Sequence, residues 1–420
     1  MTALPQQVAY GTGAPSLPPN ASSTDIVIRS SNGSTFGENA TIVFDLNSAG
    51  FIDPQSLYIR YKYAFTNVVG AELKGTPVYT PFQRLSVFVG STQIENIAQF
   101  NQVANMEVNL SYDIAQKYGV QSCFGYKDST SVPNNEELDG RVLSVNESGS
   151  FSAPLSPCIL TSCEKYLPAF AMPAIRVELG TDTLANMFRT DVVAVPTGMV
   201  LSNVELCYKQ IDLGAEVESM VRSAGMTHIK TGSLMNSASL LGAGSSGMAS
   251  IVYNTRLASI KSAFLLFANT IAASNKEYDS VDITKGNGSV NISIAGKSYP
   301  QTPLNSAQNK SGILQALRGA VGSVFDTQNS LSINSVEFSR VDGGATTLAG
   351  AGKFIVGIDT SVLGSTNDYI MSGVSSQNSS ITCNLQLNTA TTNAINVHLV
   401  LAYDAILELD FDAGQATLKM

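Results

Sequence analysis

Three groupings in this chain have residue types and spacings that could do chemistry. Gly242, Gly244 and Gly247 form a literal G-x-G-x-x-G, the spacing of loops whose backbone N–H groups cradle a diphosphate. That reading needs a strand before the glycines and a helix after them, so that phosphate meets a helix N-terminus. Residues 248–254 instead have the composition of a strand, and the glycines read as a turn between strands. The chain has two histidines, His228 and His398. Neither has a cysteine or acidic cluster at metal-ligand spacing, and no G-x-S-x-G elbow offers a nucleophile. Both read as polar residues of a sheet. Glu408, Asp410 and Asp412, followed by Gly414, point weakly to calcium. An EF-hand loop needs its glycine directly after the third acidic ligand and a glutamate closing the loop. Here Gly414 is one place late and Lys419 stands where that glutamate belongs. On a strand end, alternation would put all three carboxylates on one solvated face; a cation bridging subunits is the other reading. No catalytic, cofactor-binding or metal-binding residue is assigned, and no cofactor is expected. Asn32, Asn109 and Asn287 begin N-x-S/T triplets, which arise by chance in a chain rich in Asn, Ser and Thr. Modification is not expected in a non-secreted protein.

Composition narrows the class. The 420 residues are 44% hydrophobic and 14% charged, with 34 Gly, which describes a globular, β-leaning chain. That length exceeds one ordinary core and suits two domains of roughly 200 residues. So few charges on a large surface imply that much of it meets other protein. A net charge of −9 and the absence of Lys or Arg from residues 1–24 argue against gripping nucleic acid, which takes clustered cations. Cys123, Cys158, Cys163, Cys207 and Cys383 are an odd set without C-x-x-C spacing. They read as reduced thiols of a cytosol-like compartment. No charged segment leading into an apolar core opens the chain, so no signal peptide is expected. No run of about 18 apolar residues would span a membrane.

The elements that would position these residues are mostly strands. Residues 1–23, rich in Pro, Gly, Ala and Ser, read as a disordered tail or as an arm that lies on a neighbouring subunit. Leu57, Ile59, Tyr61 and Tyr63 alternate with Tyr58, Arg60, Lys62 and Ala64, the period of a half-buried strand. Residues 40–45, 150–155, 175–179 and 200–208 also have strand character. In residues 81–110, Leu85, Val87 and Val89 alternate with Ser86 and Phe88, and Gly90, Ser91 and Thr92 break the strand. Ile94, Ile97, Phe100, Ala104 and Val108 then fall on one helical stripe, with Gln99, Asn101, Gln102, Asn105 and Glu107 on the rest. Residues 111–148 read as a long polar loop with an acidic tip at Glu136, Glu137 and Asp139. Residues 212–225 read as a connecting helix, with Val217, Met220, Val221 and Ala224 as its apolar stripe and Gly225 as its stop.

The same order returns about two hundred residues later. Residues 40–45 (ATIVFD) align with 249–254 (ASIVYN), and 64–67 (AFTN) with 266–269 (LFAN). Residues 86–90 align with 292–296, and 206–211 (LCYKQI) with 401–406 (LAYDAI). Residues 94–110 find a counterpart in 305–322, where Ile313, Leu314, Leu317 and Val321 keep helical spacing. The common order predicts two copies of one β-rich domain. The fold class expected is all-β: two tandem eight-stranded jelly-roll sandwiches, with short helices after the middle strands and a connecting helix. The divisions are 1–23 arm, 24–211 first jelly roll, 212–225 connecting helix, 226–411 second jelly roll and 412–420 C-terminal tail.

The run PFQRLSVFVGSTQIENIAQFNQVANMEVNL (81–110) resembles the segment after the early strands of double jelly-roll major capsid proteins. These build the shells of adenovirus-like, polinton-like, virophage and tailless-phage-like DNA viruses. The closing NVHLVLAYDAILELDFDAGQ (396–415) is similar to their final strand and tail. The similarity is one of pattern and order over almost the whole chain. It implies a trimer of six jelly rolls with a pseudo-hexagonal outline, loops forming outward towers and termini on the inner side. Residues 111–148 would be a modest tower. The implied partners are further copies of the chain, within a homotrimer and between trimers, and penton and minor capsid or cement proteins. An internal membrane is a further possible partner.

The functional expectation is therefore a structural, non-enzymatic major capsid protein, located in the virion and made in a reducing compartment such as the host cytoplasm. Direct nucleic-acid binding is not expected. The runner-up is a β-sandwich receptor- or glycan-binding spike or adhesin. It should expose aromatic clusters on loops, and a chain with no Trp and Ser-, Asn- and Gly-rich loops fits it poorly. An enzyme is third.

Overall fold

The computed structural model describes residues 21–47, 49–66, 72–126, 141–142, 148–188, 196–269, 288–325, 333, 338, 353–362, 371–388, 390–391 and 393–420. In chain order the first half carries β1 (Ser22–Arg29), β2 (Thr35–Phe36), β3 (Thr41–Leu46), β4 (Phe51–Ile52) and β5 (Tyr58–Thr66). Then come β6 (Glu72–Leu73), β7 (Phe82–Val89) and β8 (Thr92–Ala98). Helices α1 (Phe100–Ser111), α2 (Ile114–Gly119) and α3 (Gln121–Phe124) follow. The half closes with β9 (Arg141–Val142), β10 (Ser148–Pro154), β11 (Leu167–Pro168), β12 (Ile175–Thr181), α4 (Leu184–Met187) and β13 (Gly198–Asp212). Helix α5 (Ala215–Ser223) leads into β14 (Met226–Leu241), β15 (Gly247–Tyr253), β16 (Ile260–Asn269), β17 (Ser289–Ile294) and β18 (Lys297–Leu304). After them come α6 (Ser306–Phe325), β19 (Ile355–Asp359), β20 (Ile381–Leu387), β21 (Ile395–Asp410) and β22 (Gln415–Lys419).

These strands form two sandwiches of the same design. In the first, β13 runs between β1 and β5, with β10 outside β5, and the facing sheet has the order β3-β12-β7-β8. In the second, the sheets are β14-β21-β16-β19 and β15-β20-β17-β18. Replacing β1, β3, β5, β7, β8, β10, β12 and β13 by β14 to β21 in order converts one pair of sheets into the other. All pairings are antiparallel. Two eight-stranded jelly rolls in tandem are therefore the fold. The aligned stretches land on equivalent strands: β3 with β15, β5 with β16, β7 with β17, and β13 with β21.

Alternation explains most of the cores. In β12, β17 and β20 every second side chain is buried, as a sheet packed on one face requires. Strand β5 points Ile59, Tyr61, Tyr63 and Phe65 inward. Strand β21 is buried on both faces over Val397–Ala405, a mostly apolar run that also buries His398 and Asp404. Helix α6 covers the outer side of β16 and β19, buries Ile313, Leu317, Ala320 and Val321, and accepts at the Ala320 carbonyl from Ser262 Oγ at 3.1 Å. The approach is close enough that a Cβ on Gly357 would lie 2.8 Å from Leu317 Cα, so β19 needs a glycine there.

Five expectations are corrected. Ile94 and Ile97 lie on strand β8, paired with β7, and the helix starts only at Phe100. The reason is a bulge: Val87 pairs with Glu95 but Phe88 pairs with Gln93. Ile94 is thus an extra residue, and the apolar spacing of three arises inside a strand. Second, the polar side of α1 is not solvated: Asn101, Gln102 and Asn105 are buried. Asn101 Nδ2 donates to Asp182 at 2.8 Å and Asn105 Oδ1 accepts from Thr76 at 2.9 Å. Third, residues 111–148 begin with two short helices, α2 closed by a capping box between Asp113 and Gln116; the acidic tip lies outside the described residues. Fourth, α5 buries no side chain, and Met220 of its apolar stripe is 67% exposed. Gly225 ends the turn after it at φ +69°. The segment 412–420, read as a tail, carries β22, which pairs with residues 406–410 of β21. Residues 1–20 lie outside the described residues.

Candidate functional site

The most heavily built polar site is the seam between the two jelly rolls. Strand β8, at the edge of the first roll, packs against β14 of the second. The bulge that displaces Ile94 leaves Ile94 and Glu95 buried side by side, and Glu95 is 5% exposed. Ser233 Oγ of β14 donates to Glu95 Oε1, and the Ile159 backbone N–H donates to Oε2 at 2.8 Å. Burial pushes the Glu95 carboxyl up to about 7, against the opposite pull of the hydrogen bonds from Ser233, Ile159 and Cys158.

Around this carboxyl further bonds cross the seam. Thr231 Oγ1 donates to the Ile159 carbonyl at 2.6 Å, and the Glu164 N–H donates to the Lys230 carbonyl at 3.1 Å. Asn236 Nδ2 donates to the Ala98 carbonyl at 3.0 Å. The Lys230 ammonium pairs with Glu164 at 3.3 Å. From α5, Arg222 donates to the Phe170 carbonyl at 2.6 Å and lies 5.3 Å from the Phe170 ring centre. Hydrogen bonds are stronger in a low-dielectric seam, and an unmatched group is costlier there. The arrangement ties β8 and residues 159–170 of the first roll to α5 and β14.

It is poorly equipped for catalysis. Burial pushes the Cys158 thiol well up and the Cys163 thiol up to about 12, so neither supplies a thiolate nucleophile. Ser233 is committed to a carboxylate, with neither histidine beside it. His228 is exposed on β14 opposite Glu408. His398 is buried in β21, its Nδ1 unpartnered among the described residues, and burial lowers it to about 4. It is a neutral core residue.

The other residues singled out by sequence scatter. Gly242 to Gly247 form the β14–β15 turn, pinned by Thr391: its carbonyl accepts from the Gly244 N–H at 2.7 Å and its Oγ1 from the Ser245 N–H at 3.0 Å. A strand, not a helix, follows. Glu408 pairs with Lys419, and Asp410 Oδ1 accepts from the N–H groups of Asp412 at 3.0 Å and Ala413 at 2.9 Å. Asp410 thus shapes the turn into β22, and Glu408 ties β21 to β22. Among the described residues no group of three His, Cys, Asp or Glu side chains is placed to hold a metal ion. All five cysteines are free, Cys123 exposed and the others buried. Asn109 is buried against Lys117, Asn32 caps a strand edge, and Asn287 lies outside the described residues. Sequence reasoning missed Glu95 altogether: a bulge and a partner 138 residues away leave no local signal.

No family model matches this chain, and no curated protein matches its sequence. Solved structures do. The PBCV-1 virus capsid protein superposes with a TM-score of 0.61 at 12% identity, over 98% of this chain and 99% of that one. The Faustovirus major capsid protein gives 0.62 at 7% identity, over 95% and 92%. The mavirus major capsid protein gives 0.53 at 12% identity, over 100% and 95%. The likeness is one of fold over nearly the whole of each chain. This chain has the double jelly-roll architecture found in those viral capsid proteins.

Proposed function

We propose that this chain is a major capsid protein that assembles as pseudo-hexagonal trimers into an icosahedral virus shell. The observation that supports it best is the tandem of two equivalent jelly rolls, which superposes over nearly the whole length of known capsid chains. Three copies of a two-lobed chain closed about a three-fold axis present six similar lobes, an outline that tiles a surface. The seam at Glu95 serves this role by holding the two lobes of each copy at one angle. The division at residues 212–225 into rolls 24–211 and 226–411 belongs to the same proposal. So does a tower contributed by residues 111–148. The role is structural rather than enzymatic, and the location is the virion. Further copies of the chain, penton and minor capsid proteins, and an internal membrane are the proposed neighbours.

The test is the solution mass of the purified chain, followed by negative-stain imaging of the same species. A particle near three times 44.3 kDa with a hexagonal outline is expected. A chain that stays monomeric at high concentration sinks the reading.

A further inference from the structure

A groove of about 550 Å³ lies on the first roll, lined by residues of β5, β10, β13 and α3. Strand register explains which side chains meet there. On β5, Arg60 and Lys62 stand two residues apart on the exposed face, opposite the buried Ile59, Tyr61 and Tyr63. On one side β10 sets Ser150 across from Lys62 and Ser152 across from Arg60. On the other, β13 sets Ser202 across from Lys62 and Glu205 across from Arg60. Asn203 and Val204 therefore share the place opposite Tyr61. Val204 is buried, while Asn203, held at φ +48°, is exposed and lines the groove. Such a bulge aims an extra side chain out of the ladder, and here that side chain is an amide.

The charges in this groove suit an anion. Glu205 is buried, and both of its oxygens are engaged: Arg29 Nε donates to Oε1 at 3.3 Å and Arg60 Nε to Oε2 at 2.7 Å. That bond steadies the Arg60 guanidinium through Nε, and among the described residues no acceptor engages its Nη groups. Lys62 is exposed, and among the described residues no acceptor meets its ammonium. Three cations (Arg29, Arg60 and Lys62) against one carboxylate leave two positive charges over, in a chain whose net charge is −9. A guanidinium offers a fork of N–H groups that matches phosphate oxygens, and an ammonium adds a point charge. A phosphate monoester carries about −1.5 to −2 at pH 7, which two cations balance. The volume falls within the roughly 300–1,000 Å³ of small-molecule sites, with room for a sugar-sized body beside the phosphate.

We infer that this groove binds a phosphate group, free or carried on a small sugar-sized body. Lys62 and the Arg60 Nη groups hold the phosphate oxygens, and Asn203, Ser150 and Ser152 add hydrogen bonds around them. The inference is independent of the capsid reading, because it assigns a ligand and not a mode of assembly.

Cys123 supplies the readout, since it lines the same groove and is the exposed one of the free cysteines. The full chain is labelled with iodoacetamide in the presence of inorganic phosphate or a hexose 6-phosphate, with ionic strength held constant by sodium chloride. Circular dichroism and thermal melting check that each variant is folded. Phosphate should slow the labelling of Cys123, and Lys62→Met should raise the half-protecting concentration about tenfold or more. Asn203→Gly, which keeps the left-handed backbone and removes the amide, should raise it by a smaller factor. Lys209→Met removes an exposed charge of β13 outside the groove and should leave it unchanged. Tighter protection by the hexose phosphate supports the inference with an ester as the ligand, and equal protection supports it with free phosphate. If neither compound slows labelling beyond sodium chloride, or if Lys62→Met is protected as well as the parent, the inference is overturned.

Discussion

The two jelly rolls share one strand order but fill it with different side chains. The first is built on rings. Tyr61 packs edge-on against Phe82 at 5.2 Å and against Phe151 at 5.8 Å, and Tyr63 stacks on Phe151 at 4.3 Å. Phe65 meets Phe188 at 5.1 Å. The buried tyrosines must satisfy their hydroxyls, and they do so on connecting backbone: Tyr61 donates to the Val78 carbonyl and Tyr79 to that of Pro154. The second roll is largely aliphatic along β16, β17, β20 and β21, and it roofs β16 and β19 with α6. Its aromatic contacts are confined to Phe267, Phe338 and Phe354 among the described residues. A jelly roll is thus specified by where apolar side chains alternate and where turns fall, and either rings or branched aliphatics can fill it.

This contrast can be broken by equal truncations in the two cores. Phe82→Ala and Phe264→Ala each empty a fully buried site, for which about 3–5 kcal/mol is expected. Phe82 also loses its edge-to-face partner, worth a further 0.5–1.5 kcal/mol or so. Urea unfolding should rank Phe82→Ala as the more damaging. Equal losses would mean that the rings contribute through volume alone.

What the sequence makes legible follows the same divide. Alternation in β5, β12, β17 and β20 is visible because one face of each strand is buried and the other is not. The repeat is visible because both rolls keep those faces. Ile94 and Ile97 mislead because a bulge imitates helical spacing. Asn101 and Asn105 mislead because a buried amide with partners looks the same in sequence as a solvated one. The seam at Glu95 joins residues far apart in the chain, so nothing local announces it.

Glu95 tests how firmly the two rolls are coupled. Its carboxyl rises from 4.5 to about 7 on folding, so the folded state holds a proton that the unfolded chain releases near 4.5. The stabilisation that depends on this proton is complete below pH 4.5 and is lost as pH rises through 7, an effect of roughly 3 kcal/mol. Melting temperature should fall over that interval, and Glu95→Gln should flatten much of the slope. In the variant Glu107, hydrogen-bonded by Ser156 and also pushed up to about 7 by burial, keeps a slope of the same sign, and His398, lowered by burial to about 4, adds one of opposite sign between about pH 4 and 6.5. A Glu95→Gln protein with the parent's full pH dependence would show that the seam carboxyl does not govern coupling.

The smallest expected change is at the edge of β3, which the Asn32 amide covers by accepting from the Val43 N–H and donating to the Thr41 carbonyl. Asn32→Ala removes the amide that spans Thr41 and Val43, two bonds exposed to water, so stability should drop by only about 1 kcal/mol. Urea unfolding checks the figure. A loss well above it would mean that the amide orders the whole entry into β3, including the bond from the Ser31 N–H to the Val43 carbonyl at 2.8 Å.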